Sequence, residues 1–134
     1  MYRYKIEELK KWKNSQNRKP LIIRGARQVG KTWLMKEFGE QYYEKCAYIN
    51  FDDNQRMKKL FEEDFDLERI IQGLKIESKV NIEPENTLII LDEIQENSHA
   101  LKALKYFCEN AREYHIISAG SLLGVAIHEG TSFP

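Results

Sequence analysis

One eight-residue stretch of this 134-residue chain has residue types and spacing that suit phosphate binding: residues 25–32, GARQVGKT, fit GxxxxGK[ST] without a mismatch. Gly25 and Gly30 permit a tight turn that exposes backbone N–H groups to phosphate oxygens. Lys31 offers a positive charge to the β- and γ-phosphates, and Thr32 offers a hydroxyl to Mg²⁺. The pattern predicts an ATP-phosphate cradle (Walker A) with these candidate contacts: Gly25, Ala26, Arg27, Gln28, Val29, Gly30, Lys31, Thr32 and Trp33.

A second group is acidic and follows four aliphatic residues in a row at positions 88–91. Asp92 and Glu93 end this run, which is typical of a Walker B strand buried on both faces. Asp92 is the candidate partner of Thr32 in holding Mg²⁺, through bound water. Glu93 is the candidate catalytic base that orients or deprotonates the attacking water. Two acids that simply end a strand are the alternative, and the upstream phosphate motif argues against it.

A third polar position follows the last apolar run, residues 114–119. Ser121 is the first candidate for a sensor that contacts the γ-phosphate or the attacking water, and Ser118 is the second. A helix-capping role for Ser121 is an equal alternative. Lys31, Glu93 and Ser121 form the predicted catalytic set.

Some roles stay open from the residues alone. Arg27 either contacts phosphate or is a solvated loop residue. Tyr4 and Trp12 either stack on the adenine or pack in the core. Arg24, Arg27 and Arg112 lie near predicted strand ends, and none is assigned as an arginine finger.

Alternating strands and helices must position these groups. The apolar patterns predict strands at residues 21–23, 47–51, 88–91 and 114–119. They predict a helix near the N-terminus, a second from Lys31 to about Tyr43 with Gly39 as a weak point or an early stop, a third over residues 55–80, and a fourth around Leu101 to Ala111. This order favours an α/β sandwich with a mostly parallel sheet, in which ligands gather at the carboxyl ends of the strands.

The composition argues against a nucleic-acid partner, a membrane span and a cysteine or histidine metal site. Lys plus Arg and Asp plus Glu both number 21, so the formal charge is zero and a nucleic-acid partner is not supported. No segment approaches the roughly 20 apolar residues of a membrane span, and no signal peptide is evident. Cys46 and Cys108 have no metal-ligand spacing, and the three histidines suggest no metal site. These features predict a cytoplasmic protein without a membrane association.

Three separated blocks resemble the AAA-superfamily ATPases of the AAA domain 14 type, a bacterial and archaeal family: RKPLIIRGARQVGKTWL, LIILDEIQ and SAGSLLGVAIHEGTSFP. The resemblance implies a three-layer, RecA-like P-loop NTPase core of the additional-strand class, in which the sensor strand lies between the Walker A and Walker B strands. Members are usually longer and continue into a further strand and a C-terminal domain. We therefore expect an N-terminal fragment that ends before the last core strand, with residues 1–19 as a helical segment and residues 20–134 as the incomplete ATPase core.

The residues and the resemblance together predict Mg²⁺-dependent ATP binding and hydrolysis. A switch or scaffold that binds ATP with negligible hydrolysis is the alternative, and the early end of the chain favours it. A small-molecule kinase is disfavoured by Glu93 and by the lack of an arginine-rich lid segment. A protein partner or self-association is possible, and the missing sensor 2 and arginine finger leave turnover by this chain open.

Overall fold

Five α-helices and four β-strands alternate along the part of the chain that the structure, a computed structural model, describes: residues 2–23 and 29–120, with residues 2–4 and 29 in backbone only. In chain order the elements are α1 (Tyr2–Lys13), β1 (Leu21–Ile23), α2 (Val29–Tyr42), β2 (Lys45–Asn50), α3 (Gln55–Glu63), α4 (Leu67–Ser78), β3 (Thr87–Asp92), a 3₁₀ turn (Ile94–Glu96), α5 (Ser98–Asn110) and β4 (His115–Ala119).

The four strands form one parallel sheet in the order β1-β4-β3-β2. Strand β1, which precedes the phosphate motif, is thus paired with β4, and β4 is paired on its other side with the aliphatic strand β3. This is the order that the family resemblance implied, and the prediction of a parallel α/β sheet is confirmed. Because all strands point the same way, their carboxyl ends meet at one edge.

Two apolar layers cover the sheet, one on each face. On one face α1 and α2 pack on Leu88 and Ile90 of β3, together with Ile117 and Ala119 of β4. On the other face α3, α4 and α5 pack on alternate strand residues such as Ile89, Leu91 and Ile116. All six residues of β3 are buried, as its unbroken aliphatic run predicted. The result is the predicted three-layer core.

The side-chain alternation of β3 decides where its terminal carboxylate points. Leu88 and Ile90 face α2, and successive strand residues alternate between faces, so Asp92 continues that series. Helix α2 begins at Val29, within the phosphate motif, so the last four residues of the motif form its first turn. Asp92 and the first turn of α2 therefore share one side of the sheet edge.

The predicted helical stretch at residues 55–80 is divided into α3 and α4. Asp66 caps α4 by accepting hydrogen bonds from the Glu68 and Arg69 backbone N–H groups. The Arg69 guanidinium reaches back to Asp64 at 2.9 Å and to the Leu60 carbonyl at 2.7 Å, which fixes the break between the two helices. Capping chemistry, rather than loss of apolar residues, separates them.

Helix α2 runs through Gly39 to Tyr42, so the predicted end near Tyr43 is confirmed and the alternative of an early stop at Gly39 is wrong. A Cβ on Gly39 would lie 2.8 Å from Cys46 Sγ and 3.1 Å from Leu88 Cδ2. The glycine therefore permits a close approach of α2 to β2 and β3. Strand β2 spans Lys45–Asn50 rather than residues 47–51, and Phe51 follows it as a buried side chain.

Candidate functional site

The phosphate-motif threonine and the strand-end aspartate meet at the carboxyl edge of the sheet. Thr32, in the first turn of α2, donates a hydrogen bond from Oγ1 to Asp92 Oδ2 at 2.6 Å. The Asp92 side chain is almost fully buried, with 4% of its surface exposed. Sixty positions separate these residues in the sequence. The sheet thus brings the two predicted Mg²⁺ residues into direct contact.

The Asp92 carboxylate accepts two further hydrogen bonds. Its Oδ2 also accepts from the Tyr48 hydroxyl at 2.7 Å, and its Oδ1 accepts from the Glu93 backbone N–H at 3.0 Å. A buried carboxylate would be strongly destabilising without such donors. These three donors hold the carboxylate in one orientation.

Tyr48 is a residue of this site that the sequence analysis did not select. It lies on β2 opposite Ile90 of β3, so its ring faces α2 and its hydroxyl extends towards Asp92 at the strand end. Lys36 places its ammonium 4.0 Å from the centre of the ring. Burial, and then the hydrogen bond to Asp92, raise the pKa of the Tyr48 hydroxyl far above its ordinary value of 10.0. Tyr48 is therefore a neutral hydrogen-bond donor across the physiological pH range.

Lys31 projects from the start of α2 towards the end of β4. Its Nζ donates a hydrogen bond to the Gly120 carbonyl at 3.0 Å. The Gly120 backbone N–H in turn donates to the Ile23 carbonyl at 3.4 Å, which ties the ends of β4 and β1 together. The ammonium thus lies at the sheet edge from which the predicted phosphate loop departs.

Glu93 follows Asp92 with a left-handed backbone, at φ 54° and ψ 46°. This conformation is unfavourable for a residue with a Cβ and turns the chain sharply out of β3. The Glu93 carboxylate is half-buried, and its Oε1 accepts a hydrogen bond from Gln95 Nε2 at 2.8 Å. The turn therefore presents a second carboxylate beside Asp92, and Gln95 orients it.

The remaining predicted site residues divide into described and undescribed ones. Trp33 follows Thr32 on α2 with 52% of its surface exposed. Val29 and Gly30 begin α2, in agreement with a loop that leads into a helix. Gly25, Ala26, Arg27, Gln28 and Ser121 lie outside the described residues, so their predicted roles stay predictions.

Ser118, the second sensor candidate, lies within β4 and is fully buried. It is paired with Ile22 and Leu91 in the sheet. Among the described residues, its Oγ has no hydrogen-bond partner. Alternation along β4 puts Ser118 on the face opposite α2, because Ile117 and Ala119 pack on the α2 side.

The residues at the sheet edge fit a magnesium ion bound together with a phosphate ligand. A hydroxyl and a carboxylate oxygen are the hard donors that Mg²⁺ prefers, and the Thr32–Asp92 pair supplies both. Within residues 2–23 and 29–120, no cluster of three or more His, Cys, Asp or Glu forms a complete protein cage. Mg²⁺ is commonly held by one or two protein groups, phosphate oxygens and water, so a sparse ligand set agrees with its chemistry.

The sequence analysis also considered Trp12, Arg112 and the two cysteines, and these lie away from this edge. The Tyr4 side chain and Arg24 lie outside the described residues. Trp12 donates from Nε1 to the Lys19 carbonyl at 2.6 Å, and it packs against Phe38 and His115 in the core. Arg112 lies just before β4, at the opposite end of the sheet, and donates to the Cys108 carbonyl. Both cysteines are free and partly buried. None of the helices in the described ranges is long and apolar enough to cross a membrane.

Comparison with known proteins identifies the family. Residues 17–134 match the AAA domain 14 family, described as an AAA domain. No curated protein matches the chain. Among solved structures the chain is similar to C. elegans PCH-2, with 17% sequence identity and a TM-score of 0.46; the match covers 89% of this chain and 34% of that chain. The family match spans most of the sequence, including all the site residues described above, and the chain therefore belongs to the AAA domain 14 family of AAA-type P-loop ATPases.

Proposed function

We propose that this chain binds ATP with Mg²⁺ at the carboxyl edge of its sheet and hydrolyses it. The observation that carries the proposal is the 2.6 Å hydrogen bond between Thr32 and Asp92. It joins the end of the phosphate motif to the end of the aliphatic strand. Lys31 and Glu93 are the sequence neighbours of its two partners. Membership of an AAA family supports nucleotide binding at this place.

Each residue of the site has a distinct task in this proposal. The Lys31 ammonium exchanges its contact with the Gly120 carbonyl for oxygens of the β- and γ-phosphates. The N-terminus of α2 adds backbone N–H groups and a positive dipole end. Thr32 and Asp92 hold the Mg²⁺, which neutralises charge on the phosphates when it is bound.

Glu93 is the proposed base. Its carboxylate accepts a proton from the attacking water while the oxygen of that water forms a bond to the γ-phosphorus and the bond to the ADP oxygen breaks. Gln95 Nε2 donates a hydrogen bond to Oε1 of this carboxylate at 2.8 Å, and a carboxylate can act as a general base toward a bound water. Gln95 thus orients the base.

Glu93→Gln tests the hydrolysis step. The change keeps the shape of the side chain but removes its basicity, so we expect ATP binding to persist while phosphate release falls by roughly 100-fold or more. Glu96→Gln is the matched control, because Glu96 is an exposed acid in the same 3₁₀ turn. Phosphate release is measured at saturating Mg·ATP, and binding is measured in parallel.

The switch alternative predicts a different pattern. In that case the parent chain, Glu93→Gln and Glu96→Gln all bind Mg·ATP and all release phosphate at the same negligible rate. Equal and substantial release by the parent and Glu93→Gln contradicts the role of Glu93 as base.

We also propose that the protein self-associates or binds a protein partner, as AAA-type ATPases commonly do. Family membership supports this part of the proposal. Sedimentation velocity with and without Mg·ATP tests it, and a chain that stays monomeric in both conditions excludes self-association.

A further inference from the structure

The hydrogen bonds of Asp92 leave very little of its carboxylate available. A carboxylate offers about four acceptor positions, two on each oxygen. Thr32 and Tyr48 both donate to Oδ2, at 2.6 and 2.7 Å, and the Glu93 N–H donates to Oδ1. Among the described residues, three positions are therefore taken, and one position on Oδ1 stays available for a group that a ligand brings.

The ring of Tyr48 lies beside α2, at the wall of a cavity. Lys36, one turn after Thr32 on α2, has its ammonium 4.0 Å from the ring centre. The half-buried ring lines a cavity of about 530 Å³ between α2 and β2, together with Trp33 and Cys46. Lys36 of α2 thus contacts a ring that is only half-buried.

The protein does not need the Tyr48 hydroxyl in order to fill its core. The ring alone makes the contacts with Lys36 and the apolar layer under α2. The hydroxyl adds two hydrogen bonds: it donates to the Asp92 oxygen that Thr32 also contacts, and it accepts from Asn50 Nδ2 at 3.4 Å. Removal of a group that orients a metal-binding carboxylate typically lowers metal affinity by about 10- to 100-fold.

We propose that Tyr48 is a positioning residue for the magnesium site: its hydroxyl fills the second acceptor position of Asp92 Oδ2 and so fixes the orientation in which Asp92 meets the Mg²⁺. This inference rests on the proposed function, because it concerns the same ion. Without the hydroxyl, Oδ2 has a vacant acceptor position, and Asp92 can hold metal-bound water in more than one way. The site then binds Mg²⁺ less tightly, while contacts to the nucleotide itself are unchanged.

Tyr48→Phe tests this inference, because it removes only the hydroxyl and keeps the ring over which Lys36 lies. The affinity for a fluorescent ATP analogue is measured by anisotropy, first in EDTA and then across a Mg²⁺ titration. We expect the half-saturating Mg²⁺ concentration to rise roughly tenfold. The affinity in EDTA should stay within about twofold of the parent, since no phosphate contact is lost.

Tyr42→Phe is the matched control. Tyr42 lies at the end of α2, about 15 Å along the helix from Thr32, and its ring packs on Phe38. This variant should require the same Mg²⁺ concentration as the parent. Circular dichroism and urea unfolding of all three proteins establish that they are folded.

Several results overturn the inference. An unchanged Mg²⁺ requirement in Tyr48→Phe does so, as does tighter Mg²⁺ binding or an equal loss of affinity with and without the ion. Loss of the parent's circular dichroism spectrum in Tyr48→Phe shows a role in folding instead. A parent chain that binds no Mg·ATP overturns the proposed function as well, whereas a parent that binds it normally confines the failure to Tyr48.

Discussion

Acid should destabilise this protein through His115, a buried histidine at the start of β4. Its Nδ1 lies 2.6 Å from the Tyr43 hydroxyl, and its ring meets the edges of Trp12 and Tyr43. The other ring nitrogen, Nε2, has no hydrogen-bond partner among the described residues. In a charged imidazolium, the buried Nε2–H would have no acceptor among the described residues.

The environment therefore favours the neutral ring. Burial, and then the nearby positive charges of Arg18 and Lys13, together lower the pKa of His115 from 6.5 to about 4. Because the pKa is lower in the folded state, the unfolded chain takes up a proton first as the pH falls. The free energy of unfolding should thus decrease between about pH 6.5 and pH 4, by about 3 kcal/mol in total at about 1.4 kcal/mol per unit of pKa difference.

Urea unfolding at several pH values between 7.5 and 4 measures this loss. His115→Gln removes the titrating group and keeps a polar side chain for Tyr43. Carboxylates contribute to acid destabilisation in both proteins, so the difference between the two curves isolates His115. His99→Gln is the matched control, because His99 is exposed on α5.

The expected result is that the parent loses about 3 kcal/mol more than His115→Gln between pH 7 and pH 4. The His99→Gln curve should run parallel to that of the parent. Parallel curves for the parent and His115→Gln refute the reasoning, because they show that His115 has the same pKa in the folded and unfolded chain.

Two further substitutions test the packing that positions the site. Gly39→Ala should lower the free energy of unfolding by about 1–3 kcal/mol, because the new methyl group would overlap Cys46 Sγ and Leu88, and this cost exceeds the gain in helix propensity. Urea unfolding measures the change, and an unchanged or higher stability contradicts the close approach of α2 to β2. Asn97→Ala should lower the free energy of unfolding by about 2 kcal/mol in the same assay. The buried Asn97 side chain caps α5 by accepting from the Ala100 N–H, and it donates to the Met57 carbonyl. A decrease of less than about 0.5 kcal/mol would show that water replaces both contacts.

Local sequence patterns were sufficient to predict the strands and the helix that position the site. The unbroken aliphatic run of β3 predicted a strand buried on both faces, and the parallel order placed its end beside the start of α2. Because motif spacing then fixed Thr32 and Asp92 at the ends of these elements, their contact followed from topology. The predicted position of Lys31 at this edge follows from the same argument.

Other features depend on distances that no local pattern records. The aromatic residues of β2 predicted a strand, but the role of Tyr48 requires its pairing with β3 in one register and a side chain long enough to reach the next turn. The start of α4 could have been predicted from the sequence, because Asp66 is a typical capping residue before an apolar run. The role of Gly39 within α2 could not be predicted from the sequence, because it depends on the close contact between α2 and Cys46 of β2.

The central claim is that Lys31, Thr32 and Asp92 form a site for Mg·ATP, and calorimetry of Mg·ATP binding tests it most directly. The parent chain is compared with Lys31→Ala and with Lys105→Ala, which removes an exposed lysine midway along α5. We predict that the parent and Lys105→Ala bind Mg·ATP alike and that Lys31→Ala shows no measurable binding. A folded parent chain that does not bind, or a Lys31→Ala variant that binds as tightly as the parent, would contradict the account.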